Sequence, residues 1–327
     1  MPTAYTDTKR GFVYAVSAYA IWGLVLPLYM KALNHVSPFE IVAHRVLWAV
    51  PFAVLLLGWQ GTLGATLRLL TDLRTVLLAA LTATLISLNW GTYVYAIISG
   101  QAIDAALGYY INPLLNVLLG AIILKEKPTR LQAIAIGLAA IGVVILTVKA
   151  GGLPWIALVL ACSFGTYGLL RKMVKVDAAE GFFLEVALLS LPSILVLATL
   201  PQIRFGADMT ETSMLVVAGP LTAIPLILFA AGARRLHFAT IGILQYLVPT
   251  MLFLTAVFLF GEPFGLWQLI AFAFIWTALA IYTVTLIRQA RAERRRLRGA
   301  ASQGGAPTHG ARFKEGDEEG HATRTQA

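Results

Sequence analysis

The sequence predicts an all-α integral membrane protein with ten transmembrane helices, arranged as two inverted five-helix repeats. Three observations predict this fold class: the composition, a series of separated apolar runs, and an internal repeat. Of the 327 residues, 58% are hydrophobic and 13% are charged, and the mean hydropathy is +0.78. Soluble domains carry about 25% charged residues. The composition therefore indicates a chain whose helices lie mostly in lipid.

Ten apolar runs follow one another, and each is long enough to cross the hydrocarbon layer as a helix of about 20 residues. The first is too long for the apolar part of a signal peptide, so we count it as a helix. We call the runs spans 1 to 10, and they lie near residues 11–32, 38–58, 75–98, 104–124, 129–149, 152–172, 180–200, 213–234, 239–260 and 265–288. The predicted divisions are a cytoplasmic lead (1–10), a first repeat (11–149), a second repeat (152–288) and a tail (289–327).

The internal repeat aligns residues 108–148 with residues 244–284 without a gap, at an offset of 136. Ten of the 41 positions are identical, and they include the pairs Tyr110 and Tyr246, Pro113 and Pro249, Glu126 and Glu262, and Gln132 and Gln268. Each copy contains an odd number of spans, so the second copy enters the membrane in the opposite direction. Inverted repeats of this kind let one fold form two mirror-related states.

Lysine and arginine residues in the short loops predict the orientation. Twelve lie on the side of the amino terminus and three lie on the opposite side. Because positively charged loops stay in the cytoplasm, we predict a multi-pass protein of the cell inner membrane with both termini in the cytoplasm.

The tail begins with six arginines between Arg288 and Arg298, directly after span 10. A basic cluster in this position predicts contact with anionic lipid headgroups. We do not expect nucleic-acid binding, because no folded nucleic-acid module accompanies the cluster. From Gly299 onward the composition predicts disorder, since the segment has too little apolar surface to fold.

Span 2 carries polar side chains, which need a reason to lie in a membrane. Glu40 is expected to complete a capping box with Ser37 at the start of the span. Arg45 either snorkels to headgroups or lines a central cavity, where it holds an anionic group or a partner carboxylate, and we adopt the cavity. His44, one helical turn before Trp48, is either a packed histidine or a titrating, substrate-facing one.

Spans 3, 4, 7 and 9 add polar and aromatic side chains at helical spacing. Glu185 in span 7 lies beyond any capping position; it is either an ion-pair partner or a cavity carboxylate, and we adopt the cavity. Asparagines also hold membrane helices together, but the convergence of spans 3, 4 and 9 favours a cavity. The candidate substrate-binding residues are His44, Arg45, Trp48, Asn89, Trp90, Tyr93, Tyr109, Asn112, Asn116, Glu185, Gln245 and Tyr246.

Two prolines and a set of small residues predict how the spans pack. Pro113 and Pro249 each remove one backbone hydrogen bond at matching positions of the repeat, so they are candidate hinges or packing kinks. Spans 5 and 10 are rich in glycine and alanine and nearly free of polar groups. This composition predicts close helix packing at the periphery and no binding site.

Five stretches carry a family resemblance: Glu40-x-x-x-His44-Arg45, Asn89-Trp90, Leu107 to Leu114, Tyr167 to Lys172, and Phe274 to Ala280. They resemble the RarD proteins of the EamA group, within the drug/metabolite transporter superfamily. The resemblance covers about residues 9–290. It implies a ten-helix inner-membrane permease with a central cavity and, through the family's naming, an association with chloramphenicol sensitivity. It implies no particular substrate.

The function we expect is a secondary transporter, an exporter of a small amphipathic metabolite or drug that works by alternating access. The sequence contains no ATP-binding motif, metal-site signature or catalytic signature. We therefore expect no cofactor, no enzymatic activity and a gradient as the driving force, with proton coupling and facilitated diffusion both open. The alternatives are a channel-like or structural membrane protein and, less favoured, an intramembrane enzyme. Substrate, direction and oligomeric state are not predicted.

Overall fold

The computed structural model describes residues 4–123, 125, 127–149, 153–173, 176–233, 235–236 and 244–303, and these residues contain helices and no strand. The described α-helices are α1 (Ala4–Ala20), α2 (Leu26–Ala32), α3 (Pro38–Gln60), α4 (Leu63–Leu69), α5 (Leu73–Ile98), α6 (Ala102–Ile123), α7 (Arg130–Lys149), α8 (Trp155–Met173), α9 (Ala178–Thr199), α10 (Met209–Ala233), α11 (Leu247–Leu254) and α12 (Leu266–Gln303). Two π-helical segments, Ile21–Val25 and Thr255–Leu259, follow α1 and α11.

Within the described residues, eight helical stretches are long and apolar enough to cross a membrane. Two further apolar helices, Trp155–Arg171 and Leu247–Leu259, are shorter. Each of these helices overlaps one of the predicted apolar runs, so the chain is a multi-pass membrane protein. The short helix α4 was not predicted, because seven residues between two long apolar runs give no clear period.

Glycines let several of these helices approach closely. A β-carbon on Gly108 would lie 2.8 Å from the carbonyl oxygen of Ala157, so α6 and α8 touch backbone to backbone. The close packing predicted for spans 5 and 10 occurs at Gly142, where a β-carbon would lie 2.9 Å from the carbonyl oxygen of Ala271. Small residues have this role in membranes because lipid supplies no hydrophobic force between helices.

Pro113 and Pro249 affect their helices differently. Helix α6 continues through Pro113, whereas the chain forms a turn at Gln245 and Tyr246 before α11 begins. Pro249 has no N–H to donate to the carbonyl oxygen of Gln245, four residues earlier. That oxygen instead accepts a hydrogen bond from the N–H of Val248 at 3.3 Å. Only the second of the two candidate hinges therefore lies beside a break in its helix.

The π-helical segment Ile21–Val25 was also not predicted. Pro27 has no N–H for the carbonyl oxygen of Gly23, which removes one α-helical hydrogen bond at this point. A β-carbon on Gly23 would lie 2.9 Å from Cβ of Met251, so the segment packs tightly against α11. Such segments occur often at functional sites. This one lies where the first half of the chain, which is the first repeat, contacts the second half, which is the second repeat.

The two glutamines of the repeat have the same role in both copies. The N–H of Thr129 donates to Oε1 of Gln132 at 2.8 Å at the start of α7. The N–H of Gly265 donates to Oε1 of Gln268 at 2.7 Å at the start of α12. Thr129 and Gly265 are themselves separated by the repeat offset of 136. The internal similarity therefore extends from residue identities to backbone contacts.

Helix α12 continues beyond its apolar part and ends at Gln303. Residues 299–303, at the start of the segment for which disorder is predicted, continue the helix after a run of arginine, leucine and alanine with high helix propensity. The disorder of the tail stays a prediction. The rest of the predicted tail, residues 304–327, lies outside the described residues.

Candidate functional site

Arg45 lies two turns into α3 and is 4% exposed. Its Nε donates a hydrogen bond to Oγ1 of Thr222 in α10 at 2.8 Å, and its Cζ lies 4.5 Å from the centre of the Trp90 ring in α5. Its Nη1 is buried and has no hydrogen-bond partner among the described residues. A snorkelling arginine keeps its charged end in water. The burial therefore favours the interior position over the headgroup position.

Two tyrosines extend the surroundings of this guanidinium. The ring centres of Tyr93 and Tyr109 lie 6.0 Å apart, and Tyr93 lies one helical turn after Trp90 in α5. The hydroxyl of Tyr93 is buried and, in the described part of the chain, has no hydrogen-bond partner. We call the following residues the arginine cluster: Arg45, Trp90, Tyr93, Tyr109 and Thr222.

Helices from both halves of the chain build the arginine cluster. Thr222 is the member from the second half, and it reaches Arg45 because α10 packs against α3 at Gly219, one turn earlier. A β-carbon on Gly219 would clash with the carbonyl oxygen of Trp48. Any side chain at this glycine would push the two helices apart and separate Thr222 from Arg45.

His44 packs beside the loop that joins α9 to α10. Its Nδ1 accepts a hydrogen bond from Nε1 of Trp48 at 3.2 Å, and its ring stacks on Phe205 with centres 4.5 Å apart. Its Nε2 is buried without a partner in the described residues. Because Nδ1 accepts, the neutral ring carries its proton on Nε2. These contacts favour the packed histidine of the two alternatives.

Glu40 does not complete the predicted capping box. Ser37 occupies the N-cap position of α3 but makes no side-chain capping hydrogen bond. The fully buried Glu40 instead accepts the backbone N–H groups of Arg204 and Phe205, both on Oε1, at 2.8 and 2.9 Å. The prediction was wrong because these donors come from a loop 164 residues away in the chain.

Glu262 makes the reciprocal contact. Its Oε1 accepts the N–H of Ala102 at 2.8 Å and its Oε2 accepts the N–H of Ile103 at 2.9 Å, at the start of α6. Glu40 thus reaches from the first half to the second, and Glu262 from the second half to the first. We call these two contacts the carboxylate clamps. Glu126, which the repeat matches to Glu262, lies outside the described residues.

Both carboxylate clamps lie at the end of the molecule where α3 begins. His35, just before α3, lies 2.8 Å from the carboxylate of Glu211 at the start of α10. Lys31 Nζ, at the end of α2, lies 5.2 Å from the centre of the Phe260 ring, two residues before Glu262. These contacts join the two halves at the same end as the clamps.

The loop that carries Phe205 is anchored to α10 by Asp208. Its Oδ2 accepts the N–H groups of Thr210 at 2.8 Å and Glu211 at 3.1 Å. The N–H of Glu211, followed by that of Thr210, lowers the pKa of the Asp208 carboxyl below its usual value. The anchored loop presents two backbone donors to Glu40 and a ring to His44.

Asn89 connects α5 to α8. Its Nδ2 donates hydrogen bonds to the carbonyl oxygen of Leu160 and to Oγ of Ser163, both at 3.0 Å, and the residue is 1% exposed. A side-chain amide committed to a neighbouring helix is typical of interhelical bonding in membranes. The contacts favour the packing alternative for Asn89.

The predicted polar stripe of α6 also faces α8. The ring centre of Tyr109 lies 6.5 Å from that of Phe164. The side-chain oxygen of Asn116 lies 3.2 Å from the position of a β-carbon built on Gly165. Asn112 is 8% exposed, and its Oδ1 is buried without a partner in the described residues.

Glu185 takes its contacts from α8. The hydroxyl of Tyr167 donates to its Oε2 at 3.1 Å, and its Oε1 lies 3.9 Å from Nη1 of Arg171. The residue is 2% exposed. These contacts favour the ion-pair alternative for Glu185 over the cavity that we adopted from the sequence.

The two candidates before α11 lie elsewhere. Gln245 is exposed in the turn, and Tyr246 borders an open groove of about 390 Å³. Tyr110, its match in the repeat, shares a hydrogen bond with Oγ1 of Thr250 at 2.9 Å. Tyr246 has a buried hydroxyl without a partner in the described residues, and the repeat matches Thr250 with Leu114, which carries no hydroxyl.

Comparisons with known proteins agree with this fold. Residues 9–148 match the EamA-like transporter family. An uncharacterized transporter of Pseudomonas aeruginosa is 44% identical over 293 residues, which is 88% of this chain and 98% of that protein. The protein RarD of Salmonella typhimurium is 40% identical over 285 residues, 86% of this chain and 97% of that protein. The chloramphenicol-sensitive protein RarD of Pseudomonas aeruginosa is 32% identical over 296 residues, 88% of this chain and 98% of that protein.

A solved crystal structure with 20% sequence identity has the same overall fold. It aligns with a TM-score of 0.55 and covers 87% of this chain and 99% of its own. The helical fold and the relatives together define a membrane transporter. The chain belongs to the EamA-like transporter family, and the identity of about 40% over most of its length makes it a RarD-type permease. The family resemblance of the sequence is confirmed.

Proposed function

We propose that the protein is a secondary transporter that exports a small amphipathic metabolite or drug by alternating access. The observation that carries this proposal is the position of the carboxylate clamps relative to the arginine cluster. The cluster is buried and shared between the halves, and at one end the halves hold each other through reciprocal contacts. A carrier has to close one end while the other end opens, and the clamps provide a closed end that opening can break.

The repeat supports a cycle between two mirror-related states. Glu262 accepts a backbone N–H at the start of α6, so residue 262 lies at the end of the molecule where α6 begins. Gln268 caps the start of α12 shortly after Glu262 in the sequence, so it lies near the same end. Gln132 caps α7, which begins only after α6 has run its 22 residues, a rise of about 33 Å. A position of the matched glutamines at opposite ends of the molecule supports the proposed arrangement of ten helices in two inverted sets of five. In the second state of the cycle, the opposite end closes.

The loop charges support an orientation with both termini in the cytoplasm. The carboxylate clamps then face the periplasm, and the structure corresponds to a state closed on that side. An exporter in this state receives its substrate from the cytoplasm. The arginines after the last span then lie beside the anionic cytoplasmic leaflet, where they are suited to contact lipid headgroups.

Counterflow in proteoliposomes tests the carrier. Vesicles are loaded with an unlabelled compound, and uptake of the labelled compound is compared with uptake into empty vesicles. Chloramphenicol belongs in the candidate set because one relative is named for sensitivity to it. A carrier takes up label faster into loaded vesicles. Equal rates for a compound that does enter would contradict the carrier and favour a channel.

A reversible crosslink tests alternating access. His35 and Glu211 face each other across the clamped end at 2.8 Å. In a Cys162→Ser background, His35→Cys combined with Glu211→Cys should be bridged by a short bifunctional methanethiosulfonate, because the two backbones are separated by the length of both original side chains. The bridge should stop exchange until a reductant is added. The two single variants are the controls. Exchange that continues at full rate through the crosslinked protein would contradict the proposal that this end must open.

A further inference from the structure

We propose that the arginine cluster binds an organic anion, with the carboxylate of the ligand on Arg45 and a planar apolar body against the rings of Trp90, Tyr93 and Tyr109. That this anion is also the transported compound rests on the proposed function. The binding itself does not, and it is tested separately below.

The argument begins with the charge of Arg45. A guanidinium has five N–H donors and stays charged at every physiological pH. Here Nε donates to the neutral hydroxyl of Thr222, and Nη1 is buried without a partner in the described residues. The ring of Trp90 attracts the cation. One ring and one hydroxyl do not compensate for the water that the guanidinium loses when it is buried. The site therefore favours a negative charge.

The buried carboxylates in the described part of the chain make their contacts away from Arg45. Glu40 accepts two backbone N–H groups of the loop before α10, and Glu262 accepts two at the start of α6. Glu185 is bound by Tyr167 and lies beside Arg171. In the described residues, no carboxylate lies within 4.0 Å of Arg45. A carboxylate from a ligand supplies the charge that these side chains do not.

The chemistry around Arg45 indicates what kind of anion fits. The cluster contributes one cation and no acidic side chain, so it suits a net anion better than a zwitterion, which also needs a partner for its ammonium group. The guanidinium fork matches a carboxylate in a bidentate arrangement. The hydroxyl of Tyr93 is a further buried donor, and the three rings offer faces to a planar or aromatic body.

The accessibility of Arg45 in this structure indicates at which stage of the transport cycle a ligand binds. Two open grooves of about 400 and 390 Å³ border Tyr29 and Tyr246, and neither includes Arg45. Arg45 is 4% exposed, so its guanidinium is shielded from solvent in this conformation. We expect the ligand to reach Arg45 when the halves separate at one end of the molecule.

Binding of matched acids and amides to the purified full-length chain tests this inference. The probes are benzoate and benzamide, phenylacetate and phenylacetamide, and indole-3-acetate and indole-3-acetamide, titrated against the protein in detergent. At least one acid should bind about tenfold more tightly than its amide, because only the acid forms a charged pair with Arg45. In Arg45→Gln the ratio should fall to about one. In Arg45→Lys it should be intermediate, because lysine keeps the charge and loses the fork.

Arg68→Gln is the matched control, since it removes one positive charge from an exposed side chain at the end of α4, outside the arginine cluster and the carboxylate clamps, and should leave the ratio unchanged. If Arg45→Gln does not fold, Arg45→Lys decides the test. The inference is overturned if no pair shows a preference for the acid, or if the preference survives both Arg45 substitutions. Counterflow of a neutral compound without acid binding would overturn it and leave the carrier standing. Arg45-dependent acid binding without exchange would support it and contradict the carrier.

Discussion

The two carboxylate clamps should respond differently to one and the same substitution. Glu40 accepts both of its backbone N–H groups on Oε1, and its Oε2 is buried without a partner in the described residues. Glu262 uses both oxygens, with one N–H on each. Glutamine keeps one oxygen and replaces the other with an NH₂ donor. Glu40→Gln can therefore retain both hydrogen bonds. In Glu262→Gln the new NH₂ group faces a backbone N–H, and one of the two hydrogen bonds is lost.

The contacts set the expected magnitudes. Glu40→Gln keeps both hydrogen bonds and loses the contribution of charge to each, about 1 kcal/mol per bond in the free energy of unfolding. Part of this loss is offset, because the variant no longer buries a charge. Glu262→Gln loses one hydrogen bond to a charged group and leaves a buried N–H unpaired, about 3 kcal/mol. The matched controls are Glu40→Ala and Glu262→Ala. Each of these removes every acceptor of its clamp, so both should cost about 3–5 kcal/mol.

Thermal unfolding of the four variants in detergent, followed by tryptophan fluorescence, measures the difference. We expect Glu40→Gln to melt close to the wild type, and Glu262→Gln to melt close to Glu262→Ala. Equal shifts for the two glutamine variants, or a larger shift for Glu40→Gln, would refute the assignment of these oxygens to the N–H groups of the opposite half.

Three further predictions concern orientation, packing and the loop anchor. A reporter that works only in the cytoplasm should be active after spans 4 and 10 and inactive after spans 3 and 9; the reverse pattern would contradict the orientation. Asn89→Ala should lower the free energy of unfolding by about 1–2 kcal/mol, because α5 loses both hydrogen bonds to α8; an unchanged melting temperature would show that the amide does not join them. Asp208 has a lowered pKa, so its contribution to stability is present above its ordinary pKa and is lost as the pH falls through the lowered value. Acidification should therefore lower the melting temperature more in the wild type than in Asp208→Asn, and equal slopes would contradict the anchor.

Sequence reasoning was most accurate where the cause of a structure is local. Hydropathy depends on the residues of one segment, so the apolar runs correspond to helices of the structure. Capping depends on residues three positions apart, as where Gln132 and Glu180 accept the backbone N–H groups of Thr129 and Asp177. The repeat marks Glu262 in the sequence, because an identical polar residue at a fixed offset is improbable by chance.

The tertiary structure alone decided the partners of the buried polar groups. Glu40 has the spacing of a capping box, yet its hydrogen bonds go to a loop of the other half. Phe205 and Thr222 were missed because an apolar ring in a loop and a threonine in an apolar helix carry no local signal. Glu185 turned out to be beside Arg171, a pairing that depends on how α8 lies against α9. Local sequence determines which residues are helical and which faces are polar, but the pairing of charges depends on which helices are neighbours, and that is a property of the whole packed chain.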